Sequence, residues 1–324
     1  MANYQSVQGD LIESVATDPS NPIEGQIWYN SSSGTLKGYQ LATVNAWSAG
    51  GNLNTARTIA GGGTQTAGIG FGGETTVNSA ATETYNGTSW TTVNSMSTAR
   101  RGLSGCGTQP AALAVGGFVT APSNITEEYD GTNWSTGGNL NTARADLASV
   151  GLQTAALAFG GYTGTANTGA TELYNGTSWT NSPNSLNTTR RTMGGFGIQT
   201  AAIAFGGFLP PYSAAAESWN GTSWTSVNSL NTARNRSGGA GIQTAALAFG
   251  GNSTPPGTTA TGATELWNGT SWTNNPTGLA TPRGAMGSAG TQTAGLGFGG
   301  YGPGNKNQTE EWTGQELQVK TVTV

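Results

Sequence analysis

Apolar positions along this chain fall in short blocks that recur in a fixed order. From Trp47 onward a small apolar run ending in a glycine pair, such as Gln153–Gly161 (QTAALAFGG), leads through a loose polar loop to an aromatic and a tryptophan, as in Thr171–Trp179 (TELYNGTSW). The glycine pairs begin at Gly72, Gly116, Gly160, Gly206, Gly250 and Gly299, so the steps are 44, 44, 46, 44 and 49 residues. Each pair is preceded by an arginine (Arg57, Arg100, Arg144, Arg190, Arg234, Arg283). Each is followed by a glutamate two residues before an aromatic, at Glu83, Glu127, Glu172, Glu217, Glu265 and Glu310. Five units then reach a tryptophan, at Trp90, Trp134, Trp179, Trp224 and Trp272.

These lengths suit four short strands per unit and leave no room for a helix. The first strand follows the arginine, the second is the Ala-rich run, the third holds glutamate and aromatic, and the fourth starts at the tryptophan. Asn-Gly in NGTSW suits a tight turn between the third and fourth, since both residues tolerate positive φ. Ala and Gly in the second strand suit positions where sheets crowd around a central axis. A period of about 40 to 50 residues with four strands per unit marks an all-β chain, a β-propeller. The expected architecture is a six-bladed propeller over 47–324, with Trp47–Gly51 supplying the outer strand of the last blade. Seven blades is the alternative, because Gly25–Trp47 could imitate a partial blade.

The arginine, the Gly-Gly doublet and the aromatic before a tryptophan together resemble the kelch repeat, from Trp47 to about Leu317. Its small second strands are more uniform than kelch repeats usually are. The resemblance implies a propeller that serves as a galactose-oxidase-type enzyme or, more often, as a binding platform, so it does not settle function.

Ahead of the repeat, residues 1–46 are expected to form an arm and a hairpin. Asp18–Pro22 (DPSNP) is a turn or linker, and Ile27–Tyr29 and Leu36–Tyr39 flank a Ser/Gly turn. The module Gly25–Gln40, which opens with GQIWYN, resembles hairpins near the N-termini of bacteriophage tail-fibre and other virion proteins, a likeness of about sixteen residues. It implies attachment to other virion proteins through residues 1–46. The tail, Glu316–Val324, alternates as a strand and could pair with the seam or with another copy of the chain.

Composition narrows the chemistry. With 324 residues, a single cysteine and no histidine, the chain has no disulfide framework. It lacks the commonest general base and any Ser/His/Asp device. A galactose-oxidase-like copper site needs histidine ligands, so neither cofactor nor metal is expected. No carboxylate pair can be singled out for glycoside hydrolysis. A net charge of -4 with twelve scattered Lys plus Arg gives no basic field for nucleic acid. Met1–Val15 lacks the features of a signal peptide, and no run approaches a membrane span.

The repeat arginines and glutamates are expected to be structural, each arginine bonded to a glutamate or to backbone, because a residue present in every unit cannot make one asymmetric site. Charges outside the pattern (Glu74, Arg101, Glu128, Asp130, Asp146, Arg191, Arg236, Lys306) are better candidates for specific contacts, although solvated surface is the ordinary reading. Cys106 sits where other repeats place Val150, Phe196 and Ala240, a small core position. Loops between second and third strands vary, whereas the other turns repeat nearly unchanged. The variable loops share one face, and binding commonly resides on loops held by a rigid scaffold. Tyr162, Phe208, Tyr212, Tyr301 and Lys306 are the candidate contacts there, the aromatics as platforms for sugar rings.

The expected role is a non-enzymatic virion structural or host-surface-binding protein that presents these loops to a glycan or protein. A cytoplasmic kelch-type interaction scaffold is the alternative, favoured by a charged or apolar patch on the loop face.

Overall fold

The structure is a computed structural model that describes residues 12–42, 45–254 and 259–322. The first eleven residues of the expected arm, part of the variable loop after Asn252 and the last two residues of the tail lie outside these. The described residues contain no helix and divide into two units, 1–45 with 314–324, and 46–313.

In the first unit, β1 (Glu13–Val15) runs parallel to β2 (Ile27–Asn30), and β2 forms the expected hairpin with β3 (Thr35–Ala42). Trp28 is fully buried. Its Nε1 donates to Asp18 Oδ1 at 2.9 Å, and Asn30 Nδ2 donates to the same oxygen at 2.7 Å. These donors, Asn30 first, hold the Asp18 carboxyl below its usual range. The segment read as a linker is therefore tied to the hairpin.

The second unit begins with β4 (Ala46–Ala49). Each of the first five repeats then folds into one antiparallel sheet whose strands lie side by side in chain order. The first sheet holds β5 (Thr58–Gly63), β6 (Gly68–Glu74), β7 (Thr82–Tyr85) and β8 (Trp90–Val93). The second holds β9 (Ser104–Thr108), β10 (Ala111–Val115), β11 (Thr126–Tyr129) and β12 (Trp134–Thr136). The third holds β13 (Ala148–Leu152), β14 (Ala155–Phe159), β15 (Thr171–Tyr174) and β16 (Trp179–Asn181). The fourth holds β17 (Gly194–Ile198), β18 (Ala201–Phe205), β19 (Ala216–Trp219) and β20 (Trp224–Val227).

The fifth sheet comprises β21 (Gly238–Ile242), β22 (Ala245–Phe249), β25 (Thr264–Trp267) and β26 (Trp272–Asn275). Its variable loop carries a short ribbon, β23 (Asn252–Thr254) and β24 (Thr259–Ala260). The sixth has β27 (Gly287–Gly290), β28 (Ala294–Phe298) and β29 (Thr309–Thr313), and its fourth strand is β4, with Trp47 opposite Trp312. The chain is thus all-β, with repeated four-stranded antiparallel sheets compatible with a β-propeller.

The tail departs from the expected 47–324 domain. β30 (Glu316–Thr321) pairs antiparallel with β3, Leu41 opposite Leu317, and so belongs to the first unit. β4 already occupies the outer edge of β29. The free edge of β3 takes β30 instead.

Two further expectations are corrected. The strands that crowd together are the first of each sheet, not the second. A Cβ on Gly105 would stand 2.8 Å from the carbonyl oxygen of Gly61 in the neighbouring sheet, so only glycine permits that approach. The Ala-rich second strands lie next to these and are buried where neighbouring sheets pack, Ala156 and Ala158 clustering with Leu113 and Val115 of the sheet before. In the NGTSW turn only the glycine has positive φ, 87° at Gly87. The asparagine contributes through its side chain: Asn86 Oδ1 accepts the N–H groups of Thr88 and Ser89 at 3.0 and 2.9 Å.

Three sets of hydrogen bonds join successive sheets. The second glycine of a doublet donates to the carbonyl of the next repeat arginine, as Gly73 to Arg100 at 2.9 Å, and Gly300 donates to Arg57 at 2.8 Å. Each first-turn glutamine reaches two carbonyls of the preceding sheet, as Gln109 to Gly68 and Tyr85, and Gln65 reaches Gly295 and Trp312. Fourth-strand indoles donate to a third-strand threonine of the preceding sheet: Trp134 to Thr82, Trp179 to Thr126, Trp224 to Thr171, Trp47 to Thr264 and Trp90 to Thr309. The fourth sheet has Ala216 at that place, and Trp272 donates to the Asn228 carbonyl at 3.1 Å.

Candidate binding site

The repeat charges pair inside their own sheets. Arg57 meets Glu83, Arg100 meets Glu127, Arg144 meets Glu172 at 3.1 Å, Arg190 meets Glu217 at 2.8 Å, Arg234 meets Glu265 at 3.0 Å, and Arg283 meets Glu310. The arginine side chains are fully buried. The glutamates also accept backbone N–H groups from the segment before the arginine, as Glu172 does from Asn141 at 2.7 Å. Carboxylate and guanidinium thus fasten the interstrand connection to the sheet it enters. Burial pushes Arg144 down to about 10, opposed by Glu172. These twelve residues are chemically occupied.

The two residues after each repeat arginine and the one after each glycine doublet differ between repeats, and the fold brings them together. Backbone bridges join Arg101 to Phe118, Ala145 to Tyr162, Arg191 to Phe208, Asn235 to Asn252 and Gly284 to Tyr301. One position further, Asp146 donates its N–H to Gly102, Thr192 to Asp146, Arg236 to Thr192, Ala285 to Arg236 and Ile59 to Ala285, at 2.7 to 3.3 Å. Asp146, Thr192, Arg236 and Ala285 have φ between 52° and 55°, a left-handed conformation uncommon outside glycine. Such strain persists where the surroundings enforce it and clusters at functional sites. Here the hydrogen-bonded belt enforces it.

A cavity of about 570 Å³ is bounded by the first strands of all six sheets, and Arg101, Asp146, Arg191 and Arg236 stand among its lining. Beside it a smaller cavity of about 200 Å³ is lined by Asp146, Arg191, Phe208, Tyr212, Asn235 and Arg236, among others. The Arg191 guanidinium lies over two rings, 4.5 Å from the centroid of Tyr162 and 4.9 Å from that of Phe208. Tyr212 meets Phe208 edge to face at 6.0 Å. Burial raises the Asp146 carboxyl above its usual range, while Arg236, Arg191 and Arg101 pull it down.

Of the expected contacts, Tyr162 and Phe208 therefore meet Arg191, and Tyr212 joins Phe208 in the lining of the smaller cavity. Tyr301 and Lys306 do not join them: Tyr301 is half exposed in the loop of the sixth sheet, and Lys306 Nζ donates to the Pro303 carbonyl at 3.2 Å. Other charges outside the repeat are occupied locally. Arg101 lies 3.4 Å from Glu74 and 4.6 Å over the Phe118 ring. Glu128 accepts the Tyr174 hydroxyl. Asp130 accepts N–H groups of Asn133 and Thr132, replacing the turn asparagine, and these bonds lower its pKa. Asn235 was not foreseen, although its place beside a repeat arginine was a signal in the sequence. Among the described residues no group of three or more His, Cys, Asp or Glu could hold a metal ion. Among the described residues no helix is long and apolar enough to cross a membrane.

No protein-family model matches the chain, and no curated protein matches it.

Proposed function

We propose that the chain is a six-bladed kelch-like β-propeller, closed by β4 on the sixth sheet, that acts as a non-enzymatic binding module of a virion. Residues 1–46 attach it to other virion proteins, and the variable loops meet a glycan or protein on the host surface. The observation that carries the binding role is the gathering of positions that differ between repeats. Tyr162, Phe208, Arg191, Asp146 and Arg236 come from three different repeats and meet at one place. Bonds from Gly300 to Arg57 and from Gln65 to Trp312 support six blades over seven. The virion assignment rests on the resemblance of the hairpin module Gly25–Gln40.

A cytoplasmic scaffold that docks a protein is the second reading, and the charges around Arg191 favour it. Two measurements separate the readings. Mass spectrometry of purified extracellular particles should find this chain at stoichiometric abundance, and deletion of residues 1–46 should remove it from particles while the remainder stays folded. Recovery of the chain from cells alone would overturn the virion reading. A glycan array should then show binding that substitutions among the variable loops abolish.

A further inference from the structure

The six charged pairs of the repeat leave only six other cations in the sequence, and three of these, Arg101, Arg191 and Arg236, line the cavity between the first strands. Arg101 faces Glu74. Arg191 and Arg236 form no side-chain hydrogen bond or ion pair among the described residues, although Asp146 lines the same small cavity. Arg191 is already placed, because its guanidinium carbon lies over the rings of Tyr162 and Phe208. A guanidinium held by ring contacts spends no N–H hydrogen bond on them, and its N–H fork matches a carboxylate.

The same cavity holds unspent acceptors. Asn235 is 6% exposed, and its Oδ1 has no hydrogen-bond partner. Buried polar atoms ordinarily have one. The Nε atoms of Arg144, Arg190, Arg234 and Arg283 are also unpartnered, but those side chains are enclosed within the sheets, whereas Asn235 lines a cavity. Asp146 supplies a second acceptor there. A ligand that completes the site presents an anionic group to Arg191 and Arg236 and hydroxyl donors to Asn235 and Asp146. It is small, since about 200 Å³ is below the pocket size of drug-like ligands.

We infer that this cavity binds the carboxylated residue of an acidic saccharide, a sugar acid of the uronate kind, with Arg191 and Arg236 on its carboxylate and Asn235 and Asp146 on its hydroxyls. The inference rests on the glycan-binding reading above and names the class of glycan. An acidic peptide satisfies the arginines but brings fewer hydroxyl donors for the two acceptors.

The test is calorimetric titration of the full chain with glucuronic acid, glucose and poly-glutamate at low salt. The expected result is one uronate site, at least tenfold weaker binding of glucose, and a tenfold or greater loss in Arg191→Gln and in Arg236→Gln with unchanged melting. Arg236→Lys, which keeps the charge but not the planar fork, loses less than Arg236→Gln, and this exposed position carries the test should Arg191→Gln fail to fold. Equal binding of glucuronic acid and glucose, no uronate binding, binding indifferent to both substitutions, or binding of poly-glutamate alone overturns the inference. Uronate binding by a chain that is absent from particles defeats only the virion assignment. Binding of neutral glycans independent of Arg191 and Arg236 defeats only this inference.

Discussion

Trp90 Nε1 donates to Thr309 Oγ1 at 2.8 Å across 219 residues of chain, joining the first sheet of the repeat to the sixth. Four other sheets receive an indole in the same way, and only Ala216 breaks the series. Replacing Thr309 by Val keeps the shape and strands a buried N–H, which costs about 1–3 kcal/mol. Chemical denaturation should show that loss. Ala216→Thr should do the reverse, gaining about 1 kcal/mol as Trp272 regains the threonine partner of its counterparts. A loss on Ala216→Thr would mean that the Asn228 carbonyl already serves the indole fully.

Breaking one repeat pair should be costly. Arg144→Met leaves Glu172 buried without its counter-charge, an effect of about 3–5 kcal/mol. Arg144→Met with Glu172→Leu should be less destabilised than the sum of the two single changes, since the double variant buries no lone charge. A double-variant cycle in urea measures the difference.

Asp146 gives a dependence on pH whose sign follows from its raised pKa. The folded state favours the protonated acid more than the unfolded state does, so this group lowers stability as pH rises from the usual carboxylate range through its folded pKa. Asp146→Asn keeps the shape, tolerates the positive φ and removes the titration. Its melting temperature should exceed that of the parent chain at about pH 7, and the gap should narrow toward about pH 4. A gap that widens in acid would show that attraction to Arg236, Arg191 and Arg101 outweighs burial.

Cys106 should be inert in the folded chain. Burial pushes its thiol up to about 12, with Ser149 opposing, so the thiolate that reacts with alkylating reagents is scarce. At about pH 8, labelling should be negligible in buffer and complete in denaturant.

The sheets were legible because the repeat supplies its own alignment: six arginines, glycine doublets and glutamates at nearly constant spacing fix where strands begin and end. A structural role for the repeat charges could be argued too, since buried charges need partners, but that each arginine takes the glutamate of its own sheet was left open. Loop variability alone put Tyr162, Phe208, Tyr212, Tyr301 and Lys306 on one face, and it carried no sign that only the first three lie near Arg191. Other features were hidden for physical reasons. Positive φ at Thr192, Arg236 and Ala285 is imposed by a belt of bonds between distant segments, and none of these residue types favours it. Bonds from Gln65, Gln109 and their counterparts run between repeats, where a period within one repeat carries no trace of them. Pairing of β30 with β3 depends on which strand edge is left free, a property of the assembled sheets.

The pairing of β4 with β29 also sets an order of synthesis. Trp47 and its strand leave the ribosome early, but the strand that covers them ends at Thr313. At about 5–20 residues per second, the interval is tens of seconds. Throughout that time Trp47 lacks its cross-strand neighbour Trp312, whose ring lies tilted 5.5 Å away in the finished fold. A nascent chain that stalls before Thr309 keeps this apolar strand uncovered, and a chaperone or protease can tell it from the completed product.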